Sequence, residues 1–98
     1  MAGMSNAAKR YMQRVRESGC IVCKRGNESS LSHVVELHHV AKGSSVRSDF
    51  AVVALCSEHH RGAAGFHGMG ARAFCRLYRP PFDDEVGLLV WQAEDLNQ

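Results

Sequence analysis

Cys20-Ile21-Val22-Cys23, Glu36-Leu37-His38-His39-Val40 and Leu55-Cys56-Ser57-Glu58-His59-His60 are three passages of one stretch, residues 20–60, and that stretch decides the fold. Two knuckles, Cys20-x2-Cys23 and Cys56-x2-His59, bracket the pair His38-His39. A two-residue gap lets a tight turn aim both donors of a knuckle at one ion. Three thiolates and an imidazole suit tetrahedral zinc, with Zn–S near ~2.3 Å. Taken alone, the first knuckle also reads as a redox pair; the second makes zinc the better reading. Cys75 has no partner at ligand spacing and reads as a packed thiol, with replacement of His59 at the zinc as the alternative. His38, His39, His60 and His67 exceed what that zinc needs, and this surplus points to an active site beside a structural metal.

Working outward, the flanks read as helices. Met4, Ala8, Tyr11, Met12 and Val15 fall at helical spacing and predict a helix over 5–18, started by Ser5 or Asn6 and ended by Gly19. Lys9, Arg10, Arg14 and Arg16 take its other side. Residues 26–32 are a polar loop. Residues 33–41 and 50–55 are β-branched and apolar enough for two strands, and with the basic Gly-Ser turn 42–49 they form a hairpin with a long loop. Neighbours on a strand face opposite ways, so one of His38 and His39 can bind a metal while the other addresses a water; a hydrogen-bonded core histidine is the plainer role for one of them. His33 reads as structural or exposed. The glycines around Phe66 and His67 permit close backbone approach to a ligand. A helix over 69–79 would turn Ala73, Phe74, Leu77 and Tyr78 inward and Arg72, Arg76 and Arg79 outward. Pro80-Pro81 ends it. Asp83 can cap a last helix over 84–96, with Val86, Leu89, Val90 and Ala93 on its apolar face and Trp91 broadening it.

Length and charge set the bounds. Ninety-eight residues make one domain with a modest core that a metal would help to stabilise. No apolar run approaches a membrane span, and the polar, basic first segment is no secretory leader. Four cysteines in such a chain fit a reducing compartment, so a cytoplasmic location is expected. Residues 1–79 carry all 12 Lys and Arg against 5 acids, a net +7; residues 80–98 carry 5 acids and no Lys or Arg. A basic body whose acidic tail leaves it free fits a polyanion surface, with Arg10, Arg14, Lys42, Arg47 and Arg61 as the candidate phosphate contacts.

If the zinc staples the hairpin to the element after it, His38, His39 and His60 converge on one point. Two can hold a divalent ion and the third can act as general base near neutral pH. Those parts suit phosphodiester hydrolysis. R-V-R-E-S-G-C-I-V-C at 14–23, E-L-H-H at 36–39, L-C-S-E-H-H-R-G-A-A-G-F-H-G-M-G at 55–70 and G-L-L-V-W at 87–91 carry a resemblance covering about residues 8–94. On these the chain resembles the HNH (ββα-metal) nucleases, and within them the phage recombination-enhancement group of RecA-dependent nucleases.

The resemblance implies an α+β fold: a small zinc-stapled ββα-metal (HNH, His-Me finger) domain with flanking N- and C-terminal helices. Its parts would be a basic helix over 1–19, the stapled core over 20–79 and an acidic helix over 80–98. It implies His39 as general base, His38 as metal ligand, and His60 as closing ligand with His67 as the other candidate. Asp49 falls near a middle position that is often Asn, where it would orient the loop bearing His39. The implied cofactors are structural Zn2+, held by Cys20, Cys23, Cys56 and His59, and one catalytic divalent ion: Mg2+, Mn2+, Ni2+ or Zn2+. The implied partners are DNA and a recombinase filament. The competing expectation is a non-catalytic zinc module that binds nucleic acid or a protein.

Overall fold

The hairpin pairs two short strands, β1 (Val35–His39) and β2 (Val52–Cys56), antiparallel, with Val35 opposite Cys56 and His39 opposite Val52. The structure is a computed structural model and describes residues 5–25, 34–40, 48–82 and 84–97. Met4, the polar loop 26–32, His33, Lys42, Arg47 and Asp83 lie outside the described residues. Every residue of β2 is buried, and its alternation splits the core in two. Val52 and Ala54 pack on one side with Val15, Tyr11, Met12 and Leu37. Val53 and Leu55 pack on the other with Ile21, Val22, Phe66, Phe74, Leu88 and Trp91.

Helix α1 (Asn6–Glu17) covers the first side. The Ser5 hydroxyl accepts from Ala8 N at 3.0 Å, and Gly19 at φ 85° ends the segment, as the sequence predicts. The first knuckle is more regular than a tight turn, because Cys20-Ile21 opens a short helix, α2 (Ile21–Arg25), whose Ile21 and Val22 are fully buried. After β2 come α3 (Ser57–Arg61), α4 (Phe66–Met69), α5 (Ala71–Tyr78) and α6 (Glu85–Leu96). Among the described residues the architecture is thus a small α+β arrangement of one two-stranded sheet and helices on both faces. None of these helices is long and apolar enough to cross a membrane.

Four expectations need correction. On α5, Phe74 and Cys75 are buried, whereas Ala73 is exposed and Leu77 is 55% exposed, because the helix meets the core along a narrower stripe than its apolar residues suggest. On α6, the buried positions are Gly87, Leu88, Trp91 and Gln92 instead of Val86, Leu89, Val90 and Ala93, although Leu89 packs at the margin. The N-cap of α6 is Asp84, whose side chain accepts from Val86 N at 2.9 Å. The glycines between α3 and α4 also serve a different purpose. A Cβ on Gly68 would collide with the Gly62 carbonyl, and one on Gly65 with the Glu58 carbonyl, so the close approach is backbone to backbone. It draws α4 against α3 and brings His67 to His60.

Candidate metal centres

β2 and α3 meet at Cys56, which ends the strand and caps the helix; three residues on, His59 faces back toward Cys56. α2 brings Cys20 and Cys23 to the same point. The His59 Nδ1 atom lies 3.5 Å from Cys20 Sγ, 3.4 Å from Cys23 Sγ and 3.3 Å from Cys56 Sγ, and the Cys23 and Cys56 sulfurs are 3.9 Å apart. Tetrahedral zinc with Zn–S of ~2.3 Å and Zn–N of ~2.0 Å spaces its ligands at about 3.6 Å for S–N and about 3.8 Å for S–S. The donor set therefore fits one ion. Burial pushes the Cys20 thiol above its ordinary value, against smaller opposing hydrogen bonds from Cys56 and Cys23. A dication at the centre would reverse that penalty, since zinc binds thiolate. Cys75 is buried and is not one of the four residues whose donor atoms come together here.

The second centre is built from imidazoles. Glu36 and His38 share the β1 face that looks toward Val53 and Leu55, and α3 and α4 close over that face. His38, His60 and His67 each offer a ring nitrogen within 4.8 Å of the others. Their ring centroids are 5.4 Å (His38–His60), 5.3 Å (His38–His67) and 4.8 Å (His60–His67) apart. His38 is buried against Phe66, His60 is half-buried, and His67 is exposed, so the cluster opens to solvent on the α4 side. Burial lowers the His38 pKa, and although the Glu85 carboxylate pulls the other way, burial wins. The ring is thus biased toward the neutral form, the one with a lone pair for a metal.

Carboxylates brace these rings. Glu85 Oε2 lies 2.7 Å from His38 Nε2, and Glu36 Oε1 lies 2.9 Å from His60 Nδ1. Arg61 Nη2 reaches Glu36 Oε2 at 2.8 Å. The hydrogen bonds from His60 and then Arg61 hold the Glu36 carboxyl below the usual carboxylate range. The sequence reading missed both acids. Glu36 was within reach of it, because a residue two before His38 on a strand shares its face; Glu85 is 47 positions from its partner and gives no local signal.

His39 stands apart from the trio. It faces the α1 side of β1 with Leu37, and its Nε2 lies 3.1 Å from Asp49 Oδ1. Of the candidate phosphate contacts, Arg10 is exposed on α1. Arg14 donates to the Leu96 carbonyl at 2.7 Å, and Arg61, 66% exposed, is tied to Glu36.

An α+β domain in which a Cys3His cluster and a three-histidine cluster are gathered by a hairpin and the short helices beside it defines a protein built around candidate metal sites. A family model described as "Recombination enhancement, RecA-dependent nuclease" matches residues 5–97. The chain belongs to that family of recombination-related nucleases. No curated protein and no solved structure matches it.

Proposed function

We propose that the chain is a metal-dependent DNA endonuclease of the HNH (ββα-metal) type, with residues 1–98 forming one nuclease domain. Cys20, Cys23, Cys56 and His59 hold structural zinc, and His38, His60 and His67 hold one exchangeable divalent ion. The observation that carries the reading is the convergence within 4.8 Å of three ring nitrogens from β1, α3 and α4, one of them from His38, the strand neighbour of His39. A non-catalytic zinc module would account for the Cys3His cluster but has no need of this second one.

His39 acts as general base. Asp49 accepts the Nε2 proton, which fixes the lone pair on Nδ1, the atom that takes a proton from water. When bound, the divalent ion neutralises charge on the phosphate and on the leaving 3′ oxygen. Arg10, exposed on α1, with Lys42 and Arg47 of the hairpin loop, contacts DNA phosphates; Arg14 and Arg61 would first have to leave Leu96 and Glu36. A recombinase filament is the partner that the family name suggests.

A plasmid-nicking assay tests the assignment. His39→Ala should lower the cleavage rate by about 10²–10⁴-fold, the range for loss of a general base, while filter binding to DNA stays at the wild-type level. Cleavage at the wild-type rate by a folded His39→Ala protein would remove the catalytic role.

A further inference from the structure

The geometry points to Glu85, at the first position of α6, as a positioning residue for the histidine centre: it accepts the Nε2 proton of His38 and so turns Nδ1 of that ring toward the ion. The donor atoms that lie close to one another are those of His38, His60 and His67, and Glu85 is not among them. Glu85 instead meets His38 alone, with Oε2 at hydrogen-bond distance, 2.7 Å, from Nε2.

Glu85 is well placed to impose an orientation. Its side chain is 17% exposed and that of His38 only 7%, so water competes weakly for the bond. Its backbone is fixed from both sides. Asp84 caps the helix immediately before it, and Leu88 and Trp91 anchor the helix in the core just after it. Glu36 performs the converse operation on His60. It engages Nδ1 at 2.9 Å, which leaves Nε2 for the ion, and Arg61 holds Glu36 in turn. The two rings thus present opposite nitrogens, Nδ1 from His38 and Nε2 from His60. Carboxylates in this outer position fix the tautomer of a ligating histidine and raise its basicity. The inference rests on the reading of the trio as a divalent-ion site, and it gives the C-terminal helix a part in that site.

Two measurements on the zinc-loaded full chain test it. In Ni2+ titration calorimetry, Glu85→Ala should bind the second ion about 10–100-fold more weakly than wild type. Glu85→Gln, whose amide oxygen can accept the same proton, should recover most of that loss. In 15N-histidine NMR of the wild-type chain with Cd2+ at the second site, His38 should carry its proton on Nε2 and His60 on Nδ1. Unchanged Ni2+ affinity in Glu85→Ala, or Cd2+ on Nε2 of His38, overturns the role of Glu85 and leaves the metal centre standing. A wild-type chain that takes no second ion overturns both. The NMR readout on the wild-type chain holds even if Glu85→Ala fails to fold.

Discussion

Gln92 is a polar side chain only 1% exposed, and both of its amide atoms are used. Its Oε1 accepts from Ala54 N at 2.9 Å, and its Nε2 donates to Ser18 Oγ at 3.2 Å. The first bond satisfies the edge of β2 that faces away from β1, in the way a third strand would. Replacing Gln92 by Leu keeps roughly the volume and leaves the Ala54 N–H buried without an acceptor, a penalty of about 1–3 kcal/mol. Such a loss lowers Tm by roughly 4–8 °C per kcal/mol in a domain of this size. Thermal unfolding of Gln92→Leu in the presence of zinc checks this, and an unchanged Tm would mean that water reaches the strand edge. The same accounting explains why a sequence reading passes over such a residue. A glutamine on a helix looks solvent-facing until a strand edge 38 positions away is placed against it.

At the scale of elements, α6 shows where pattern alone fails. Leu88, Leu89, Val90 and Trp91 are consecutive and apolar, so more than one helical stripe fits them, and the contacts of Gly87 choose between the stripes. A Cβ there would stand 2.8 Å from Phe82 N and from Phe82 O, which seats Gly87 and Leu88 inward. Helix propensity favours Ala over Gly by up to ~1 kcal/mol, but overpacking against backbone costs about 1–3 kcal/mol. Gly87→Ala should therefore destabilise, seen as a lower urea midpoint; a higher midpoint would show that the Phe82 turn yields. By contrast, α1, the hairpin and both knuckles were legible, because a cap, a period or a ligand spacing is local. The Cys3His cluster could be read from the spacing of Cys20, Cys23, Cys56 and His59, whereas spacing alone put His39 with His38 and His60, where the structure has His67 in its place. The Glu36 and Glu85 braces, the short helices α2 and α4, and the outward turn of Leu77 depend on what lies across the fold.

For the molecule as a whole, the acidic tail does not stand clear of the basic body. Asp95 pairs with Lys24 at 2.7 Å, Glu94 with Arg25 at 3.5 Å, and the Leu96 carbonyl holds Arg14. Exposed positive charge remains on α1 at Lys9, Arg10 and Arg16, and on α5 at Arg72 and Arg76. If these last two meet phosphate, Arg72→Ala with Arg76→Ala should weaken DNA binding and flatten the log–log salt slope by roughly 2, about 0.9 per lost contact. An unchanged slope would put the DNA elsewhere. If the Cys3His cluster holds structural zinc and the histidine trio an exchangeable ion, as proposed, the two centres should separate in the same global way. A domain of 98 residues has a net stability of about 5–15 kcal/mol, whereas structural zinc contributes an apparent ~10–16 kcal/mol in small zinc domains. Loss of that zinc removes as much as the whole fold is worth, so Cys20→Ala or Cys56→Ala should lose helical circular dichroism at 25 °C. The histidine trio has no such leverage, because its rings are already held by Glu85, by Glu36 and by the α3–α4 backbone contact. Titration with a chelator should then give two steps: cleavage lost first with the circular dichroism intact, and the fold lost later as zinc leaves. A single step in which activity and ellipticity fall together would mean that the second ion is also structural.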